Sequence, residues 1–420
     1  MLLVSTFLAI AGGSAMMFLR AHFEPQSSAA APRANAPTVA GEATDKALAA
    51  FRGRLLDVAF TAASAMPVEP HLKNRSRAQQ AVGAACFELD QPRRALCMIE
   101  QIGDWRRGES LAEFAFYCAQ HGATTEVEHY LELARQVAES SAKGENSQDW
   151  QIDRIKMTIA KTQVWIGHAS EAARLAAGTA DFEAGKVEAV KAMLIDASSF
   201  EQRVTELDAI VATGSFDQTR VVLEIYAQLF KRFYDDREKR DQVEQKVRTS
   251  WAKLPTLARI DVMLELGGFA ADRGDRAKAL ELARDTQSIF EGAKWTAEFE
   301  IPLMARIAAL RHRAGDVERA RRDNDSAVAM FDAKRGEIVD IYRAGVLRSL
   351  AETYQAIGDA ASALKTYKQA FEAGIENPNS RPRAEDLSAS CCSMALHDVE
   401  PDAGLWTRIA NIEAGLGDPW

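Results

Sequence analysis

One short pattern occurs three times and constrains the fold more than any other feature of the chain. Gly274-Asp275-Arg-Ala-Lys-Ala279, Gly315-Asp316-Val-Glu-Arg-Ala320 and Gly358-Asp359-Ala-Ala-Ser-Ala363 share Gly-Asp-x3-Ala at separations of 41 and 43 residues, each between helix-favouring stretches. A glycine past a helix end can take the left-handed backbone that terminates it, and an aspartate beside it can cap the next helix. The alanine five residues after the glycine lets the second helix lie close on the first. This is turn chemistry for a helical hairpin, and repeated hairpins bury their apolar faces only by stacking.

Earlier segments fit the same register with looser turns: Leu89-Asp90 followed by Ala95, Gly122 by Val127, and Gly167 by Ala172. The middle is less regular. Around it Val222, Ile225 and Leu229, then Val243, Val247 and Trp251, form helical stripes with a break expected at Tyr234-Asp235-Asp236. No window alternates apolar and polar residues for long, so no sheet is expected. The composition, 47% hydrophobic and 26% charged over 420 residues, is that of a globular protein.

The unit from Leu347 to Ala370 places Leu350 and Ala351 as paired large and small residues, then Tyr354, Gly358, Ala363, Tyr367 and Ala370. On these residues the chain resembles the tetratricopeptide repeat family. Met304 to Ala327 matches less fully, with Ile307, Ala308, Gly315, Ala320 and Ala327, but Arg311 and Asn324 where the family has aromatics. Met263 to Leu282 keeps Leu266, Gly267, Gly274 and Ala279. The repeat is longer than the family's usual length of about 34 residues and looks like the long-helix variant of kinesin light-chain-type arrays. The resemblance covers roughly residues 76 to 420 and implies an all-α, right-handed α-solenoid of antiparallel helical hairpins.

The resemblance also implies a peptide groove lined by the inner face of each first helix. Arg306, Ala309, His312, Arg313, Arg348, Glu352 and Gln355 fall at those positions, a local basic cluster in an acidic chain. The Lys/Asn pairing by which some family members clamp a terminal carboxylate is absent there. Arg306, Arg313 and Arg348 are therefore expected to receive an acidic partner segment.

Ahead of the repeats, residues 2 to 19 are an uncharged apolar run of 18, at the lower limit for a membrane span, or a long signal-peptide core. Residues 1–19 are read as signal peptide or anchor and 20–44 as a Pro/Ala/Ser-rich flexible tether. A capping helix from Asp45 to Ala63 and a loop from Met66 to Ser76 make up 45–75. The repeat array spans 76–400, and 401–420 closes its end. The chain is thus expected at a membrane or exported into the cell envelope, on a side its flanking charges leave open.

Lys+Arg 51 against Asp+Glu 60 gives a net charge of −9, the wrong sign for general nucleic-acid binding. Phosphate-loop, dinucleotide, hydrolase-elbow and zincin motifs are all missing, so no catalytic residue, cofactor or metal is assigned. Glu126-Val-Glu-His129 offers a single Glu-x-x-His, where a di-iron bundle needs two; a solvated helix face is the simpler reading. The five cysteines have no metal-ligand spacing and read as small buried hydrophobes. The run Asp235 to Asp241 reads as an exposed charged helix or loop, and Asn377 to Asp386 as a stiff linker or a docking segment for a carboxylate or phosphate. The expected function is a non-enzymatic scaffold that binds a partner protein or peptide. The alternatives are a helical-shell enzyme or metal-binding protein around Glu126 and His129, and an envelope spacer that self-assembles through stacked ends.

Overall fold

The computed structural model describes residues 41–144, 148–179, 181–251 and 254–420, with backbone only for 181–184. They belong to the compact unit Pro37–Trp420. The apolar run 1–19 and nearly all of the tether lie outside the described residues. Among those described there are nineteen α-helices and no strand, and no helix is long and apolar enough to cross a membrane.

The helices are α1 (Ala50–Ala65), α2 (Val68–Glu88), α3 (Pro92–Ile99), α4 (Arg106–Gln120), α5 (Thr124–Ala142), α6 (Asp149–Trp165), α7 (Ala169–Ala176), α8 (Asp181–Leu194), α9 (Phe200–Thr213) and α10 (Phe216–Arg232). There follow α11 (Arg237–Ser250), α12 (Thr256–Asp272), α13 (Arg276–Glu291), α14 (Ala297–Arg313), α15 (Val317–Lys334), α16 (Asp340–Ala356), α17 (Ala360–Gly374), α18 (Ser380–Leu396) and α19 (Ala403–Ala414).

Seven of the hairpin turns share one geometry, whereas α10 and α11 are joined through Phe233 to Asp236 without a left-handed residue. Seven times a carbonyl in the last helical turn accepts the N–H five residues on: Gln91 to Cys86, Ala123 to Cys118, His168 to Gln163, Asp275 to Ala270, Asp316 to Arg311, Asp359 to Tyr354 and Val399 to Met394, at 2.8–3.0 Å. This bond needs a left-handed residue beside the helix end. Gly122, Gly167, Gly274, Gly315 and Gly358 supply it with φ between 76° and 94°, and Asp90 and Asp398 with φ 52° and 54°. Asp275 and Asp359 then cap the following helices through Lys278 N–H and Ser362 N–H at 3.0 and 3.1 Å. Asp316 makes no such bond. Ala279, Ala320 and Ala363 are fully buried against the partner helix.

Each even-numbered helix from α2 to α18 packs on the next even-numbered one, making a single layer, with odd-numbered helices outside it. The middle is irregular: α9 packs mainly on α10 and α11 and meets α8 through the Arg203–Glu188 pair.

The packing order also closes on itself. Helix α18 packs on α2 and, most extensively, on α1. One apolar cluster joins Leu55, Leu56, Val82 and Phe114 to Leu387, Cys391, Leu405 and Ile409. Arg52 Nε donates to the Ala395 carbonyl at 2.6 Å, Asn74 Nδ2 to Glu385 at 2.7 Å, and Arg77 pairs with Glu385 at 3.0 Å. Arg54 stacks over the Trp406 ring at 4.0 Å. The segments expected to cap two separate ends therefore meet, because each still carries an unburied apolar stripe that the other can cover.

Several boundaries differ from the sequence reading. The first helix starts at Ala50, not Asp45, since Asp45 instead accepts the Arg93 N–H at 2.7 Å. Met66 to Ser76 is no loop: α2 begins at Val68, with non-helical backbone only at Glu69, Pro70 and His71. Likewise α18 begins at Ser380, and the two prolines of the expected linker are accommodated before or within its first turn. Cys86, Cys118 and Cys391 are buried and Cys392 half-buried, but Cys97 is exposed: Ala95, Leu96, Met98 and Ile99 take the inward positions of α3 and turn Cys97 out.

Candidate functional site

The residues expected to line a groove lie on α14 and α16 of the even-numbered layer, where the three arginines are already engaged within the chain. Arg306 pairs with Asp261 of α12 at 2.7 Å, their side chains 10% and 11% exposed. Arg313 reaches the Gly268 carbonyl at 2.9 Å and also pairs with Asp272. Arg348 pairs with Asp386 of α18 at 3.1 Å. The basic cluster is thus neutralised by carboxylates on neighbouring even-numbered helices. Those carboxylates precede or follow in the repeat, which inspection of single motifs does not reveal.

Glu352 accepts a 2.5 Å bond from Ser393 Oγ, which in turn meets the buried Tyr367 hydroxyl at 2.7 Å. Gln355 Nε2 reaches the Asp398 carbonyl at 3.5 Å. Burial, helped by the charge of Arg321, holds His312 below the ordinary histidine value. Ala309 is buried and lines nothing.

Glu126 is not on a solvated face. Its carboxylate accepts the Ala43 N–H at 2.6 Å and pairs with Arg93 at 2.8 Å, while Arg93 Nε donates to the Ala43 carbonyl at 2.6 Å. The two side chains grip one residue of a non-helical strap, residues 41–49, between the amino ends of α3 and α5. Lys46 N–H to Asp90 carbonyl at 2.9 Å and Gln91 Nε2 to Lys46 carbonyl at 2.6 Å continue the contact. Ala43 itself is 6% exposed and joins the main core. His129 lies edge-on to Tyr130 instead, and no group of three or more His, Cys, Asp or Glu among the described residues is placed to hold a metal ion.

On the other flank of α5 lies a groove of about 580 Å³ lined by Thr124, Val127, Glu128, Arg135, Gln163, Ile166, His168 and Glu171. Buried Gln163 bridges it, its amide meeting Glu128 at 3.4 Å and His168 Nδ1 at 2.8 Å. Arg135 donates to Glu128 at 2.9 Å. Glu171 takes two 2.8 Å bonds from Arg174, which together with the charge of Arg135 hold it below the usual carboxylate range.

Deeper in the even-numbered layer, Glu109 is 8% exposed, accepts from Gln80 Nε2 of α2 at 3.0 Å and Lys186 Nζ of α8 at 2.9 Å, and forms an ion pair with Arg154 of α6 at 3.3 Å. Burial pushes its carboxyl up, yet the two cations and the amide outweigh that and hold it below its ordinary value.

No protein-family model matches this chain, and no curated protein matches it.

Proposed function

We propose that the chain is a tetratricopeptide-like scaffold, a right-handed α-solenoid that receives a partner protein or peptide on its even-numbered helix layer and is held at, or exported across, a membrane through residues 1–19. The observation that carries this reading is the single repeated turn geometry, which sets successive hairpins side by side and presents a continuous face whose residues differ from helix to helix. An acidic partner segment at Arg306, Arg313 and Arg348 would compete with Asp261, Asp272 and Asp386 for them. Because α1 already covers α18, the scaffold is favoured over a spacer that stacks end to end.

The test is affinity capture of the full-length protein from its native cells after mild crosslinking, with the bait's own amino terminus read in the same run. One dominant stoichiometric partner crosslinked to α14 and α16, and lost with the combined Arg306→Gln, Arg313→Gln and Arg348→Gln chain while its helical circular dichroism is retained, is the expected result. Recovery of the bait alone overturns the scaffold. An intact terminus supports the anchor, and a cleaved one an exported chain.

A further inference from the structure

In six of the seven hairpins that close with the shared turn, the odd-numbered helix folds back onto the even-numbered helix before it. The seventh departs from this. Asp398 supplies the left-handed residue and Val399 N–H reaches the Met394 carbonyl at 3.0 Å, yet α19 scarcely meets α18. The face of α18 that a hairpin partner would cover is taken by α1, about as extensively as α15 covers α14. Helix α1 lies there antiparallel, as the odd-numbered helix of a hairpin does. Arg52 near its start bonds the Ala395 carbonyl at 2.6 Å near the end of α18, while Ala63 and Met66 at its other end pack with Ala384 near the start of α18.

Helix α19 nevertheless carries the hairpin pattern. Counted from the left-handed residue, alanines stand at the fifth and twelfth positions: Ala320 and Ala327 after Gly315, Ala363 and Ala370 after Gly358, and Ala403 and Ala410 after Asp398. The first four are fully buried, where small side chains let the paired helices approach. Ala403 and Ala410 are exposed, and the present packing of α19 does not use them. That helix rests instead on Leu405, Ile409 and Ile412, with Asp402 and Arg408 paired to Lys368 and Glu372 of α17 in exposed ion pairs of a kind that exchange readily. Only Val399 to Asp402 separate it from its turn. Pro401 there is compatible with a helix's first turn, as Pro92 is two residues after the left-handed Asp90.

We infer that α1 and α19 are alternative partners of α18: when α1 leaves, α19 swings about the turn at Asp398 onto the vacated face, burying Ala403 and Ala410, and the even-numbered layer opens at one seam with α18 still covered. The closed state holds while α1 is intact, because Leu55, Leu56 and Phe60 bring more apolar surface to the seam than two alanines do. A single truncation leaves α1 in place; several together expel it. The exchange concerns the seam alone, so its failure leaves the scaffold reading to its own test.

The test uses the full chain carrying Ala410→Cys, alkylated with iodoacetamide and read peptide by peptide by mass spectrometry. With α1 intact the new thiol should react as an exposed group. Leu55→Asp and Leu56→Asp together place two charges in the seam and release α1. Alkylation at 410 should then slow about tenfold or more, while residues 50–65 lose amide-exchange protection and residues 403–414 keep it. Helical circular dichroism should stay close to the parent's. A Leu55→Ala, Leu56→Ala and Phe60→Ala chain, which adds no charge, should behave alike. Unchanged or faster alkylation at 410 once α1 is released would overturn the exchange. So would joint loss of protection at 50–65 and 403–414, protection at 50–65 that survives both sets of changes, or collapse of helical content in both.

Discussion

Arg93 and Glu126 pair at 2.8 Å across two helices and between them hold both the N–H and the carbonyl of Ala43. The ion pair is therefore the buckle of a strap as well as a link between α3 and α5. Replacing Glu126 with alanine leaves the Ala43 N–H without its acceptor and Arg93 with only the Ala43 carbonyl and Glu42, a loss of about 1–3 kcal/mol. Amide exchange at residues 43–46 should accelerate before the rest of the unit loosens. Unchanged protection there, read by mass spectrometry, would show that the core contacts of Ala43 hold the strap without the pair.

Glu109 makes the unit acid-sensitive. Its carboxyl ionises more readily in the folded chain than its ordinary value of 4.5, so the folded state gains stability from it above that pH. The gain disappears as pH falls from there through the lowered folded value. Urea midpoints measured downward from pH 6 should drop for the parent chain and drop less steeply for Glu109→Gln. Parallel curves would assign the acid lability to other carboxylates.

Asn324 is fully buried in α15 with neither amide atom hydrogen-bonded. In the next hairpin the matching position is Tyr367, equally buried but bonded to Ser393. Asn324→Leu removes two unpaired polar atoms while keeping the same branched heavy-atom skeleton and should raise stability by about 1–3 kcal/mol. A lower Tm would mean that the amide has a bonded partner in solution.

Closure predicts that α1 and α18 do not fray. Leu56 of α1 and Leu266 of α12 are both fully buried, one at the seam and one in the middle. Leu56→Ala and Leu266→Ala should each cost about 2–5 kcal/mol and preserve a single unfolding transition. A biphasic curve for Leu56→Ala alone would show that the seam opens independently of the rest.

The hairpin turns were the most legible part of this protein. Gly274, Gly315 and Gly358 with their aspartates announce left-handed helix ends, and even the weaker Asp90, Gly122 and Gly167 mark real turns. The buried stripe Leu350, Ala351, Tyr354, Ala363, Tyr367 and Ala370 was likewise readable, because helical spacing sets which side chains share a face. The candidate groove residues Arg306, Arg313 and Arg348 fall on α14 and α16, and their carboxylate partners on α12 and α18 were not legible in the sequence. Glu126 was misjudged as solvated, since its contacts come from Arg93 and Ala43 on other elements.

Turn chemistry and apolar periodicity act over a few residues, so the all-helical class and the repeated turns are written locally in the chain, while several helix ends are not. Tertiary packing alone brings α1 onto α18, clasps residues 41–49 between Glu126 and Arg93, and gathers Gln163, His168, Glu171 and Arg135 around one groove. Those relationships join residues far apart in the chain. They depend on how many hairpins accumulate and at what angle each packs on the last, a sum over the whole array that no single motif encodes.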